Sequence, residues 1–256
     1  MFGRRKNSSA ADDAAGETEQ VVDGNDATQD EGAGSDAPRR NLPPAPRPDG
    51  PWDDSEVREP GEGRVDLGGM FVPGVEGMEL RVEVAGDAIV AATVVLNDSA
   101  VQLQAFAAPK KEGIWGEVRE EIASGITRQG GVIDEVEGSL GWELRAQVPI
   151  QLPDGKSGFQ VVRFIGVDGP RWFLRGVISG QGAVQPQAAG VLEQIFKDTV
   201  VVRGEGPMAP RDPIVLKLPD DAQMVPEGVQ QDTQEGSRFA GGMGQLQRGP
   251  EITEVR

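Results

Sequence analysis

Trp142-Glu143-Leu144-Arg145-Ala146-Gln147-Val148-Pro149-Ile150-Gln151-Leu152 alternates apolar and polar residues almost without a break. A period of two puts every second side chain on one face of a strand. Trp142, Leu144, Ala146, Val148, Ile150 and Leu152 then form a buried face, with Glu143, Arg145, Gln147 and Gln151 opposite. Pro153-Asp154-Gly155 follows as a turn, because Pro presets φ and Gly accepts a positive φ. The chain must then return antiparallel.

Phe159 to Gly166 and Arg171 to Ser179, on either side of Asp168-Gly169-Pro170, carry apolar residues on both parities and read as central strands. Upstream, three strands joined by tight turns predict an antiparallel meander. They are Met78 to Ala85, Ile89 to Leu96, and the alternation of Val101, Leu103 and Ala105 with Gln102, Gln104 and Phe106. Ile114, Val118, Ile122 and Ile126 recur every fourth residue, with Trp115 beside them, so a helix is expected from about Gly113 to Gln129, stopped by Gly130-Gly131. A short strand from Val132 to Val136 precedes the decisive alternation. A second helix is expected from Gln187 to Thr199 on the stripe Val191, Leu192, Ile195 and Phe196, and Ile214 to Leu218 reads as an edge strand.

Hairpin-joined strands with helices laid on them make an α+β fold: a mainly antiparallel sheet with two principal helices. Trp115, Ile122, Trp142, Leu144, Val148, Phe164, Leu174 and Phe196 are the expected core.

The chain has 256 residues, a net charge of -17 and 37% hydrophobic residues, unevenly spread. Residues 1–63 are rich in Ala, Gly, Pro and acids, and residues 219–256 in Gly and Gln, too poor in aliphatics to offset chain entropy. Three parts follow: a disordered acidic and Pro-rich tail over 1–63, one domain over 64–218, and a disordered tail over 219–256.

Cys, His and Tyr are absent. No catalytic, cofactor-binding or metal-ligating residue is expected: Ser139, Ser157 and Ser179 lack a histidine base, and Glu120-Glu121 and Asp220-Asp221 read as solvated charge. The acidic balance argues against a DNA or RNA footprint, and no apolar run approaches the roughly 20 residues that span a bilayer. The basic start Met1-Phe2-Gly3-Arg4-Arg5-Lys6 lacks the apolar stretch of an export signal, so a cytoplasmic location is expected.

One constellation points to a ligand. If Val167 pairs with Arg171 and Leu152 with Lys156, then Arg145, Arg163 and Arg175 stand in one row across three strands, with Glu143 as the internal partner. Three adjacent arginines repel unless an anion lies among them, so these three are the expected anion-binding residues.

Leu103-Gln104-Ala105-Phe106-Ala107-Ala108-Pro109 with Gly113-Ile114-Trp115, Thr127-Arg128-Gln129-Gly130-Gly131, and Val167-Asp168-Gly169-Pro170-Arg171-Trp172-Phe173-Leu174-Arg175-Gly176, with the basic start, resemble an uncharacterised actinobacterial family, domain of unknown function 3710 (DUF3710). The resemblance covers nearly all of residues 65–218. It implies an intracellular bacterial protein and carries no activity or cofactor. Element order alone is similar to the PsbP/Mog1-like sandwich, and also to the type III secretion chaperone-like fold. The function expected is a non-catalytic binding or adaptor domain with protein partners; the alternatives are an enzyme using carboxylates and an anion-binding domain acting through the arginine row.

Overall fold

The structure is a computed structural model that describes residues 44–152 and 155–219, together with the backbone of residues 224–225 and 247–252. Most of both expected tails lies outside the described residues.

In chain order the elements are β1 (Trp52–Asp53), a 3-10 turn (Asp54–Glu56), β2 (Arg64–Asp66), β3 (Met70–Pro73), β4 (Glu79–Ala85), β5 (Ala88–Leu96) and β6 (Ser99–Ala107). Helix α1 (Trp115–Arg128) precedes β7 (Val132–Gly138), β8 (Gly141–Gln151), β9 (Ser157–Gly169) and β10 (Trp172–Gly180). Then come α2 (Gln181–Val184), α3 (Pro186–Asp198), β11 (Val200–Val201), β12 (Met224–Val225) and β13 (Gln247–Ile252). Nine strands form one sheet in the order β12-β13-β4-β5-β6-β10-β9-β8-β7, with antiparallel neighbours throughout. A four-stranded sheet has the order β1-β11-β3-β2. This is the expected α+β architecture.

The large sheet buries both faces. Leu80, Val82, Val94, Leu103, Leu174 and Ile178 share one core with Leu192, Ile195 and Phe196 of α3 and with the small sheet. On the opposite face Leu144, Val148, Val162, Phe164 and Phe173 pack with Ile114, Trp115, Ile122 and Ile126. Each core-facing aliphatic side chain contributes about 1.5–3 kcal/mol by leaving water.

Two glycines bring the helices close. A Cβ on Gly166 of β9 would lie 2.6 Å from the Trp115 ring, and one on Gly176 of β10 would lie 2.9 Å from Phe196. Helix α1 begins without a cap from its own Ile114. The Asp168 carboxylate, from the end of β9, accepts from Ile114 N at 2.7 Å and Trp115 N at 3.2 Å instead. That supplies two of the donors that a helix start leaves unpaired.

Four expectations are corrected. Regular structure begins before residue 64: β1 pairs with β11, and Asp53 accepts a 2.8 Å bond from Trp172 Nε1. A two-residue strand has no periodicity to read. The segment from Ile214 is stitched between two strands instead of lying at an edge, since Ile214 N donates to Ala105 O and Leu216 N to Ile89 O, each at 2.8 Å. Trp142 is 51% exposed, and its carbonyl accepts from Trp115 Nε1 at 2.8 Å. Val191 faces outward, and the buried stripe of α3 is Ala189, Leu192, Ile195 and Phe196. The other seven expected core residues are buried. Among the described residues no helix is long and apolar enough to cross a membrane.

Candidate functional site

The β8–β9 hairpin has the expected register. Leu152 N donates to Lys156 O at 2.8 Å, and Arg145 stands opposite Arg163. Glu143 answers both arginines. Arg163 donates Nε to Glu143 Oε1 at 3.1 Å and Nη2 to Oε2 at 2.7 Å, and Arg145 donates Nε to Oε1 at 2.9 Å. Arg163 also reaches α3, donating Nη2 to Glu193 Oε1 at 2.6 Å, while Ser139 Oγ donates to Glu193 Oε2 at 2.5 Å. Glu143 and Arg163 are buried. Burial alone lowers the Arg163 pKa, but the bonds and charges of Glu143 and Glu193 leave it raised. Glu193 is pushed up by burial and pulled further down by Ser139 and Arg163, so it ends below its ordinary value. The cluster ties the β7–β8 turn and two strands to α3, and its charges answer one another.

The β9–β10 hairpin departs from expectation. Val167 stands opposite Leu174, not Arg171, and Arg163 opposite Ile178. The turn is Pro170-Arg171, with Arg171 at φ 64°. Moving the pairing by an odd number of residues turns a side chain to the other face. Arg175 therefore leaves the row and lies opposite Gly166 on one side and Gln104 on the other, on the α1 face. The row of three does not form.

Arg175 is 5% exposed and donates Nη2 to Gln104 Oε1 at 2.5 Å. Its guanidinium carbon lies 5.5 Å from the Phe106 ring centre, and its Nε has no hydrogen-bond partner. Burial pulls its pKa down to about 10, and the Glu83 charge opposes this only in part. The same face carries Glu83, which accepts from Gln102 Nε2 at 2.6 Å and Thr93 Oγ1 at 3.1 Å. A buried polar seam thus crosses β4, β5, β6 and β10. The sequence signal for it is the polar parity Gln102-x-Gln104, which alternates with Val101, Leu103 and Ala105.

A second feature is apolar. On the face that carries Arg163, the far ends of β7, β8 and β9 extend past the Glu193 contact with α3. The register sets Val132, Gln147 and Val161 in one row, and Pro149 opposite Phe159 in the next. Val132 is 57% and Phe159 61% exposed, and Pro149 and Val161 are half-buried. Trp142 and Leu152 are exposed on the same three-stranded wing. The strand from Phe159 is central, as its apolar residues on both parities lead one to expect, with β10 on one side and β8 on the other; at its start one face is open.

Comparison with known proteins finds a match to the family described as protein of unknown function (DUF3710), over residues 50–224. No curated protein matches, and no solved structure matches.

Proposed function

The chain belongs to the DUF3710 family, and we propose that its domain is a non-catalytic binding module for a cytoplasmic protein partner, docked on the β7–β8–β9 wing. One observation carries the reading. Phe159, more than half exposed, stands opposite the half-buried Pro149 and two residues along β9 from the half-buried Val161, with the exposed Val132 across Gln147 on the same face of three paired strands. Surface hydrophobics scattered singly need no explanation, whereas a contiguous apolar group rimmed by polar residues marks an interaction surface. Arg145, Asp134, Gln147 and Gln151 supply the exposed polar surroundings. The Arg163–Glu143–Glu193 cluster fixes the wing to α3 and so presents the patch on a rigid support.

The test is differential capture. The full chain and the variants Phe159→Ser and Val132→Ser are immobilised, and proteins from the source cells are passed over each. A protein held by the wild type and lost from both variants, then rebound as a purified pair, supports the reading. Identical capture by all three chains, or none by any, contradicts it.

A further inference from the structure

Most buried or half-buried arginines of this acidic chain have carboxylates: Arg47 has Glu56, Arg119 has Glu135, Arg163 has Glu143 and Glu193, and Arg211 has Glu117 and Glu121. Arg64 and Arg175 bond to neutral acceptors instead, and Arg171 and Arg203 have no carboxylate either. Among the described residues neither forms an ion pair; Arg203 donates Nη1 to the carbonyls of Gly204 at 3.0 Å and Gly206 at 2.5 Å, and its Nε has no partner.

Asp53 links the two segments: its side chain accepts from the Nε1 of Trp172, the residue after Arg171, and its backbone pairs with Val201, two residues before Arg203. The charge of Arg171 adds to burial in lowering the Arg203 pKa. Exposed Lys110 and Lys111 join them. Their segment runs along the same hairpin turn, fixed at one end by Ala108 N donating to Arg171 O at 2.8 Å and at the other by Ile114 N donating to Asp168. Several nearby carboxylates are engaged elsewhere: Asp53 by Trp172 and Ser55, Asp168 by the start of α1, Asp212 by Ala209 N, and Glu117 and Glu121 by Arg211. Glu112 and Glu205 are exposed, next to Lys111 and two residues after Arg203.

Arg171 also occupies the second turn position after Pro170 at φ 64°, where Gly is favoured. A non-glycine residue held there points to a use for its side chain.

We infer that Arg171 and Arg203, flanked by Lys110 and Lys111, form a binding site for a phosphoryl group, either inorganic phosphate or the phosphate of a larger molecule. Two guanidiniums match a dianion in charge, and their planar forks match its oxygens. The site is separate from the apolar wing and does not depend on the reading proposed for it.

The full chain is titrated at low ionic strength with inorganic phosphate, pyrophosphate and a nucleoside triphosphate, followed by calorimetry, with citrate at matched ionic strength as the carboxylate control. The expected result is saturable binding of at least one phosphate compound, weakened about tenfold or more in Arg171→Gln and in Arg203→Gln, and unchanged in Arg145→Gln. The tightest of the three ligands identifies the source of the phosphate. Arg171→Gly should lose binding while keeping or raising Tm, because glycine suits the turn. Equal affinities in wild type and variants, citrate binding as well as phosphate, or no saturation by any phosphate compound would overturn the assignment.

Discussion

Arg163 grips Glu143 with two parallel hydrogen bonds, of 3.1 and 2.7 Å, across β9 and β8, and both residues are buried. A buried ion pair adds little net stability against an apolar replacement, yet removing one partner leaves the other charged and dry.

The two buried arginines should therefore behave oppositely. Arg163→Met leaves the buried Glu143 with only the bond from the exposed Arg145 and should cost about 3–5 kcal/mol. Arg175→Met removes a guanidinium whose Nε is unpaired and should change stability by less than about 1 kcal/mol, or raise it. Urea unfolding of both variants checks this. An equal, large loss from Arg175→Met would mean that the polar seam is satisfied by a partner group.

Acid should loosen the α3 contact. Glu193 is held below its ordinary value of 4.5, so the folded state binds fewer protons there than the unfolded state. Its stabilisation is fully present above that value and is lost as pH falls through the folded-state pKa. Asp168 runs the other way: burial raises it above 3.8, so its contribution falls as pH rises. The readout is the difference in urea midpoint between wild type and Glu193→Gln, in which Asp168 cancels. The difference should be present at neutral pH and shrink towards zero in acid; a difference independent of pH would contradict the Arg163–Glu193 contact.

Gly166→Ala and Gly176→Ala should each cost about 1–3 kcal/mol by overpacking, one by lifting Trp115 off β9 and the other by displacing Phe196 from β10. Near-UV circular dichroism should change more for Gly166→Ala, which disturbs the ring stack of Trp115 on Phe173. Unchanged melting in both would show that the helices sit further from the sheet.

Strand order within the hairpins, both principal helices and the α+β class were legible because each rests on a long period or a strong turn. The β8–β9 register followed from eleven alternating residues and a Pro-Asp-Gly turn, and with it the Arg145–Glu143–Arg163 contacts. The β9–β10 register did not follow. Gly169 was the natural candidate for the left-handed turn position, but Arg171 takes it, and side-chain pattern does not report a backbone angle that a residue adopts against its preference. That one turn decided whether Arg175 joined the row. Trp142 misled for another reason: alternation gives the face of a strand but not how far the covering helix reaches along it. The segment around β1 was illegible because its position rests on the distant Trp172 and Val200–Val201.

Docking on the wing is tested most directly by hydrogen exchange on the full chain, with and without the protein it captures. Slowed exchange is expected in the peptides that cover Val132–Gly138 and the first half of Ser157–Gly169, with α1 and β4 unaffected. Slowed exchange confined to other elements, with the wing unchanged on binding, would contradict it.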